Sequence, residues 1–186
     1  MLMKYPHLAL LLLLLGCQGE PEELATAPPT PRETLQQVQL GTLERLHTRD
    51  GVYLSGQPTA DDLALLQQRG VVTVIDQRGD AETPDLDERA VVTELGLAYH
   101  NPAFGGPLPL TDEVLDQTRE LLRDAPRPLL MHCASANRTG AAWLAYLLVD
   151  EGLPVDLALA EAKQVGLRSP AYEQQVLDYA DRRTSR

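Results

Sequence analysis

Strands alternating with helices predict an α/β domain with a mostly parallel central sheet flanked by helices. Three observations lead there. Val71 to Ile75 is an unbroken β-branched run, the composition of a strand buried on both faces. Leu129-Leu130-Met131 is a second short apolar run, and the stretch from Thr139 to Ala145 behind it is helical in character. Between such runs fall stop signals and caps at regular intervals: Gly56-Gln57-Pro58, Thr59, Gly70, Gly96 and Thr111.

In chain order, Lys4 and the apolar run Leu8 to Leu15 give a charged end and a core too short to span a bilayer, the pattern of a secretory signal peptide. Leu14-Leu15-Gly16-Cys17 resembles a bacterial lipoprotein cleavage motif, which implies that residues 1–16 are removed and that Cys17 carries lipid. Gln18 stands where an aspartate would signal inner-membrane retention, so the resemblance implies outer-membrane sorting. Residues 17–36 hold the proline-rich, acidic stretch GEPEELATAPPTP and read as a semi-rigid tether. Residues 37–186 remain as one domain, long enough for a substantial core. An exported, membrane-anchored protein facing the periplasm or the cell exterior is expected.

Within the domain, Val52-Tyr53-Leu54 reads as a strand closed by the Gly56-Gln57-Pro58 turn. Thr59 caps a helix running to Arg69, with Asp62 at the capping-box position and Gly70 as its stop. The strand Val71 to Ile75 follows. A helix over Asp85–Leu95 ends at Gly96, and Leu97 to His100 is a short strand. Thr111 caps a helix through Leu122, the strand Leu129 to Met131 comes next, and helices are expected at 139–151, 155–165 and 169–183. Ligands of such sheets bind at the C-terminal ends of the strands. That rule gathers Ser55, Asp76, Arg78, His100 and Cys133.

Charge narrows the partners. The chain carries 16 basic and 27 acidic residues, a net charge of −11, which argues against nucleic acid and against electrostatic attachment to anionic lipid. Any bound anion then needs a local electropositive pocket. There are 2 cysteines, so an acylated Cys17 leaves Cys133 as a lone thiol, unable to form an internal disulfide. A free thiol exported to an oxidising compartment favours a reactive role. The 4 histidines His7, His47, His100 and His132 show no metal-ligand spacing, and neither a metal nor an organic cofactor is implied.

The most informative stretch is PLLMHCASANRTG, Pro128 to Gly140. It reads as strand, tight loop and helix start, which places Cys133 where unpaired N–H groups and the helix dipole favour an anion and a thiolate. Arg138 adds a planar, permanently charged fork suited to tetrahedral oxyanions. The loop Ala134, Ser135, Ala136 and Asn137, closed by Arg138 and Thr139, is the candidate substrate cradle.

These residues resemble the active loop of the tyrosine and dual-specificity phosphatase superfamily: His-Cys, five residues, Arg, then Ser or Thr. Val52 to Pro58 and Gly70 to Arg78 resemble the bacterial phosphatase-like family often found beside or fused to sulfur-metabolising hydrolases, including the beta-lactamase hydrolase-like group. The likeness covers roughly residues 44 to 150. It implies a phosphate-bearing substrate and hydrolysis of phosphate monoesters through a cysteinyl-phosphate on Cys133. It also implies that His132 orients the loop and lowers the thiol pKa, and that Thr139 helps discharge the thiolate. One departure stands out: four residues, not five, separate Cys133 from Arg138.

Two further features keep rival readings on the table. Rhodanese-like sulfurtransferases have a six-residue cysteine loop, the length of Cys133 to Arg138, which allows a Cys133 persulfide. The segment Pro102 to Leu110, where the resembled phosphatases carry an acidic proton donor, holds no carboxylate, and a non-catalytic anion-binding lipoprotein fits that gap. Asp76 is the leading candidate for the acid, with an ion pair to Arg78 as the alternative reading. His100 and Asp112 are the other candidates, although Asp112 falls in a first helical turn, where an acid complements the dipole. A left-handed Asn137 would turn one more N–H into the short cradle.

Overall fold

The computed structural model of the chain describes residues 33–82 and 86–185. The signal peptide, Cys17 and the tether up to residue 32 lie outside the described residues, and so does Asp85, the expected first residue of the second helix.

Among the described residues, twelve strands and α-helices follow one another: β1 (Gln36–Leu40), β2 (Leu43–Arg49), β3 (Val52–Ser55), α1 (Ala60–Gln68), β4 (Thr73–Asp76), α2 (Glu88–Glu94), β5 (Ala98–His100), α3 (Asp112–Asp124), β6 (Leu129–His132), α4 (Asn137–Val149), α5 (Val155–Val165) and α6 (Pro170–Thr184). The six strands form one sheet in the order β1-β2-β3-β6-β4-β5. β3, β6, β4 and β5 run parallel, while β1 and β2 add an antiparallel hairpin at one edge. The expected α/β class is what forms. The hairpin was not anticipated from the sequence, because β1 is mostly exposed and shows no clean alternation.

Both faces of the parallel strands are covered, which explains their continuous apolar runs. Alternation sends Leu129 and Met131 to the face packed by α3 to α6, and Leu130 to the face packed by α1 and α2. Ile75 and Val74 divide in the same way. Complete burial of one such side chain contributes about 1.5–3 kcal/mol. α4 is apolar nearly all round and accordingly buried, with Trp143 wholly enclosed and its indole N–H donating to Glu161 at 2.8 Å.

Two caps form as expected. Thr59 and Asp62 make a reciprocal capping box on α1, and the Thr111 hydroxyl accepts from the Val114 N–H at the start of α3. β4 begins at Thr73, two residues later than the β-branched run suggests. Val71 and Val72 instead carry the chain up from α1, the Val71 N–H bonding back to Leu66.

Register fixes the site. Ser55 of β3 and Asp76 of β4 both stand opposite His132 of β6, so three strands end at one level and the next residue of the middle strand is Cys133.

Candidate active site

Cys133 leaves β6 and is 1 % exposed. The loop behind it turns because Ala136 adopts a left-handed conformation, φ 63° and ψ 0°, as the N-cap of α4. The expectation that Asn137 would take that conformation is corrected here. Asn137 is the first residue of α4, and its side-chain oxygen accepts from the N–H groups of Arg168 and Ser169 at 2.8 and 3.0 Å. The side-chain oxygen is spent on the α5–α6 loop.

That loop buttresses the cysteine turn closely. A Cβ on Gly166 would stand 2.8 Å from the Ala136 Cβ, and one on Gly140 would stand 2.5 Å from the Leu167 nitrogen. Arg168 completes the brace, donating to the Ser135 carbonyl at 3.1 Å and to the Ser135 hydroxyl at 2.6 Å. On the other side the Gln57 N–H donates to the Ala134 carbonyl at 3.3 Å, and Gln77 N–H to the His132 carbonyl at 3.0 Å. Thr139 is enclosed, its hydroxyl donating to the Ser55 carbonyl at 3.1 Å. That bond makes Thr139 a brace between β3 and α4.

Arg138, on the first turn of α4, folds back over the cysteine. Its guanidinium donates to the carbonyls of Gln77 (3.1 Å) and Phe104 (2.7 Å), and pairs bidentately with Glu82 at 2.7 and 2.6 Å. Burial works against the cation. The hydrogen bond to Glu82, with the charges of Cys133 and Glu82, outweighs it and holds the pKa above the ordinary arginine value. Glu82 ends the single 3-10 turn Asp80–Glu82, and its bond to Arg138 is the main cause keeping its carboxyl below the usual range.

Beneath the loop lies a buried ionic network. The His132 Nε2 meets Glu88 at 2.7 Å, Glu88 pairs with Arg78, and Arg78 grips both Asp76 oxygens at 2.9 Å. The Tyr99 hydroxyl donates to Asp76 at 3.0 Å, and burial together with that carboxylate pushes the phenol pKa up. Asp76, Glu88 and His132 are the three ligating side chains that converge here, and the cation already between the two carboxylates is the Arg78 guanidinium.

This network corrects the reading of Asp76 as proton donor. Burial alone would raise its carboxyl, but the Arg78 hydrogen bonds and the His132 side chain pull it below the usual range. An ionised carboxylate with both oxygens occupied has no proton to give. The other two candidates are elsewhere. Asp112 pairs with Arg182 of α6 at 2.7 Å, and His100 lines a separate depression beside Gln117 and Leu121.

Sequence reasoning missed Glu82, Glu88 and Arg168. Each reaches the loop only through folding, from 56, 44 and 33 residues away respectively, and none sits in a local pattern.

No protein-family profile and no curated protein matches the sequence. Solved structures do match. A DUF442 protein from Shewanella putrefaciens CN-32 superposes with a TM-score of 0.63 at 22 % identity, over 76 % of this chain and 93 % of that one. The core catalytic domain of the PP-IP phosphatase SIW14 from S. cerevisiae gives 0.65 at 17 % identity, over 77 % and 90 %. P. aeruginosa TpbA gives 0.57 at 27 % identity, over 77 % and 87 %. The fold is cysteine-phosphatase-like. Within it, Cys133 directly follows the central parallel strand and Arg138 sits on the first turn of the helix behind.

Proposed function

We propose that this chain is a cysteine-dependent phosphatase that hydrolyses phosphate monoesters through a cysteinyl-phosphate. The observation that carries the reading is Cys133 at the end of β6 with Arg138 on the first turn of α4, the Arg138 fork oriented on one side by Glu82. No oxygen acceptor among the described residues takes the Arg138 Nε, which leaves that edge for a phosphoryl oxygen. The deprotonated sulfur attacks phosphorus, the S–P bond forms, the P–O ester bond breaks, and the ester oxygen leaves with the bonding pair and takes a proton from solvent water. Water then attacks phosphorus, the S–P bond breaks, and phosphate departs. Loop N–H groups and Arg138 stabilise the charge on the equatorial oxygens. The structural neighbours support the same chemistry: a cysteine-to-serine variant of P. aeruginosa TpbA, 25 % identical to this chain, is solved in complex with pTyr.

The test is direct. Cys133→Ser is expected to abolish turnover of an aryl phosphate with the fold intact, and Arg138→Lys to lose most of it, because an ammonium cannot grip two coplanar oxygens. Turnover surviving Cys133→Ser would remove cysteine chemistry. The four-residue spacing favours one second reading, sulfur transfer through a Cys133 persulfide. Thiosulfate adding one sulfur to Cys133, with no phosphate label from an aryl phosphate, would decide for it.

From the Leu14–Cys17 motif we propose separately that the chain carries a lipid anchor at Cys17, outside the cytoplasmic membrane. Acyl chains on the mature N-terminus, and release to the soluble fraction on Cys17→Ala, are the expected results by mass spectrometry and fractionation. An unmodified N-terminus at another position would contradict it.

A further inference from the structure

A pocket of about 550 Å³ opens directly beside the cysteine loop, within the size range of ligand sites. Ala134 and Ser135 of the loop line it together with Gln57, Glu44, Arg45 and Arg168. Ala134 and Ser135 belong to the site just described. Arg168 braces that same loop, whereas Glu44 and Arg45 lie outside the site, and no step of the proposed hydrolysis uses the three.

Its two arginines lie outside the ion pairs of the described residues, as do Arg69, Arg89 and Arg127, but only these two line the pocket. In a chain of net charge −11, Arg49, Arg78, Arg119, Arg138 and Arg183 are each paired with carboxylates. Arg45 and Arg168 are exposed and have no carboxylate partner among the described residues, and both face this one pocket. Arg168 is already positioned, since Ser135 and the Gly166 carbonyl hold part of its fork. Arg45 sits on a braced wall. The Asp62 carboxylate that caps α1 also accepts from the Thr42 N–H at 2.8 Å and the Thr42 hydroxyl at 2.6 Å, pinning the β1–β2 turn from which β2 departs. Glu44 is the one carboxylate on the lining, so the wall keeps a net positive charge. Two unneutralised guanidinium forks around a preformed cavity of this size suit a second phosphate-like anion.

Resting on the phosphatase reading, we propose that this pocket is a second anion subsite, and that the substrate is a compact organic molecule with two phosphate groups. One phosphate sits over Cys133 and the other between Arg45 and Arg168. The acidic surface elsewhere turns such a molecule away, and the two forks together reverse that locally.

The experiment compares one aryl ring carrying either one or two phosphates, hydroquinone monophosphate and hydroquinone bisphosphate. With the Cys133→Ser chain, calorimetry should show the bisphosphate binding about tenfold tighter, since two arginine–phosphate contacts at a partly open site act together. That advantage should fall to roughly the statistical factor of two in Cys133→Ser/Arg45→Ala, and the gain should shrink as salt rises. With the intact cysteine, the ratio of kcat/KM between the two substrates should follow the same order. Arg168→Lys is a second variant, keeping charge but not the fork, and should lose part of the preference with the Ser135 brace weakened. Equal affinity for the two compounds, binding of neither, or a preference that Arg45→Ala leaves intact would each overturn the subsite. Preference for a phosphotyrosine peptide with acidic flanks, with no gain from the second aryl phosphate, would overturn it too. Tight bisphosphate binding without any turnover by the intact chain would instead remove the phosphatase reading and leave the subsite standing.

Discussion

Arg138 and Glu82 define what the site can do at the level of single residues. Arg138 needs an anion beside it, and in the free protein Glu82 supplies one on the Nη1–Nη2 side. The same bond keeps the Glu82 carboxyl below its usual range, so it is ionised at neutral pH. Asp76 is likewise held below the usual range by Arg78 and His132. A general acid needs the opposite shift, and such an acid typically accelerates its step by about 10²–10⁴. The leaving oxygen therefore departs without a carboxyl proton from either residue. An alkyl ester such as phosphoserine is expected to turn over at least about a hundredfold more slowly than p-nitrophenyl phosphate, whose leaving group is stable as an anion. Comparable kcat values for the two would show that a protein proton donor operates. Legibility at this scale tracks distance along the chain. Cys133, His132 and Arg138 sit within seven residues and state their chemistry locally, whereas Glu82 and Glu88 acquire theirs only by being folded onto that loop.

Among the elements, α4 is the one on which the site depends, and its position is set by a close approach. Gly140 sits on a face that meets the α5–α6 loop so tightly that a Cβ would stand 2.5 Å from the Leu167 nitrogen and 2.7 Å from the Ala162 oxygen. Helix propensity alone favours alanine over glycine there by about 1 kcal/mol. Backbone atoms cannot yield as a side-chain tip would, and overpacking of this kind costs about 1–3 kcal/mol, more where backbone must move. Gly140→Ala is therefore expected to destabilise by about 2 kcal/mol in urea unfolding, with activity falling further because the Ala136 turn rests on the same loop. A neutral or stabilised variant would mean that α4 is not held by this contact. The sequence conveyed helices better than strands. Caps such as Thr59–Asp62 and Thr111 are local side-chain chemistry, so both helix starts were readable. The onset of β4 was not, because pairing with β5 and β6, not β-branching, decides that Thr73 is the first paired residue. The helix caps at Thr59 and Thr111 say nothing of Gly140 either, which resembles any other helical glycine until Leu167 is placed against it.

For the molecule as a whole, the acidic composition sets how stability responds to pH. Asp62, Asp76, Glu82 and Asp116 all have carboxyls held below their ordinary range. For Asp62 hydrogen bonds overcome burial, for Asp76 hydrogen bonds and charges do, and for Glu82 and Asp116 an arginine bond is the largest cause. A carboxyl whose folded-state pKa is depressed stabilises the fold fully above its unfolded pKa, near 3.9–4.3, and loses that contribution as pH falls through the lower folded value. Stability set by these groups should thus be flat through neutral pH and fall only below about pH 4. Asp76 is the instructive member, because it is buried against Arg78 and belongs to the network that supports His132. Asp76→Asn keeps the shape but removes the charge, leaving Arg78 with Glu88 alone. Breaking a buried pair costs about 3–5 kcal/mol, and the remaining Glu88 bond puts the expected loss at the lower end, about 3 kcal/mol at pH 7. The deficit should shrink as pH falls, since protonation of Asp76 in the parent removes the same charge. Urea midpoints measured from pH 7 down to pH 2 give the answer: the two curves should converge in acid. Parallel curves, offset equally at every pH, would show that Asp76 acts by shape and hydrogen bonding, and that its charge does not hold the floor of the site.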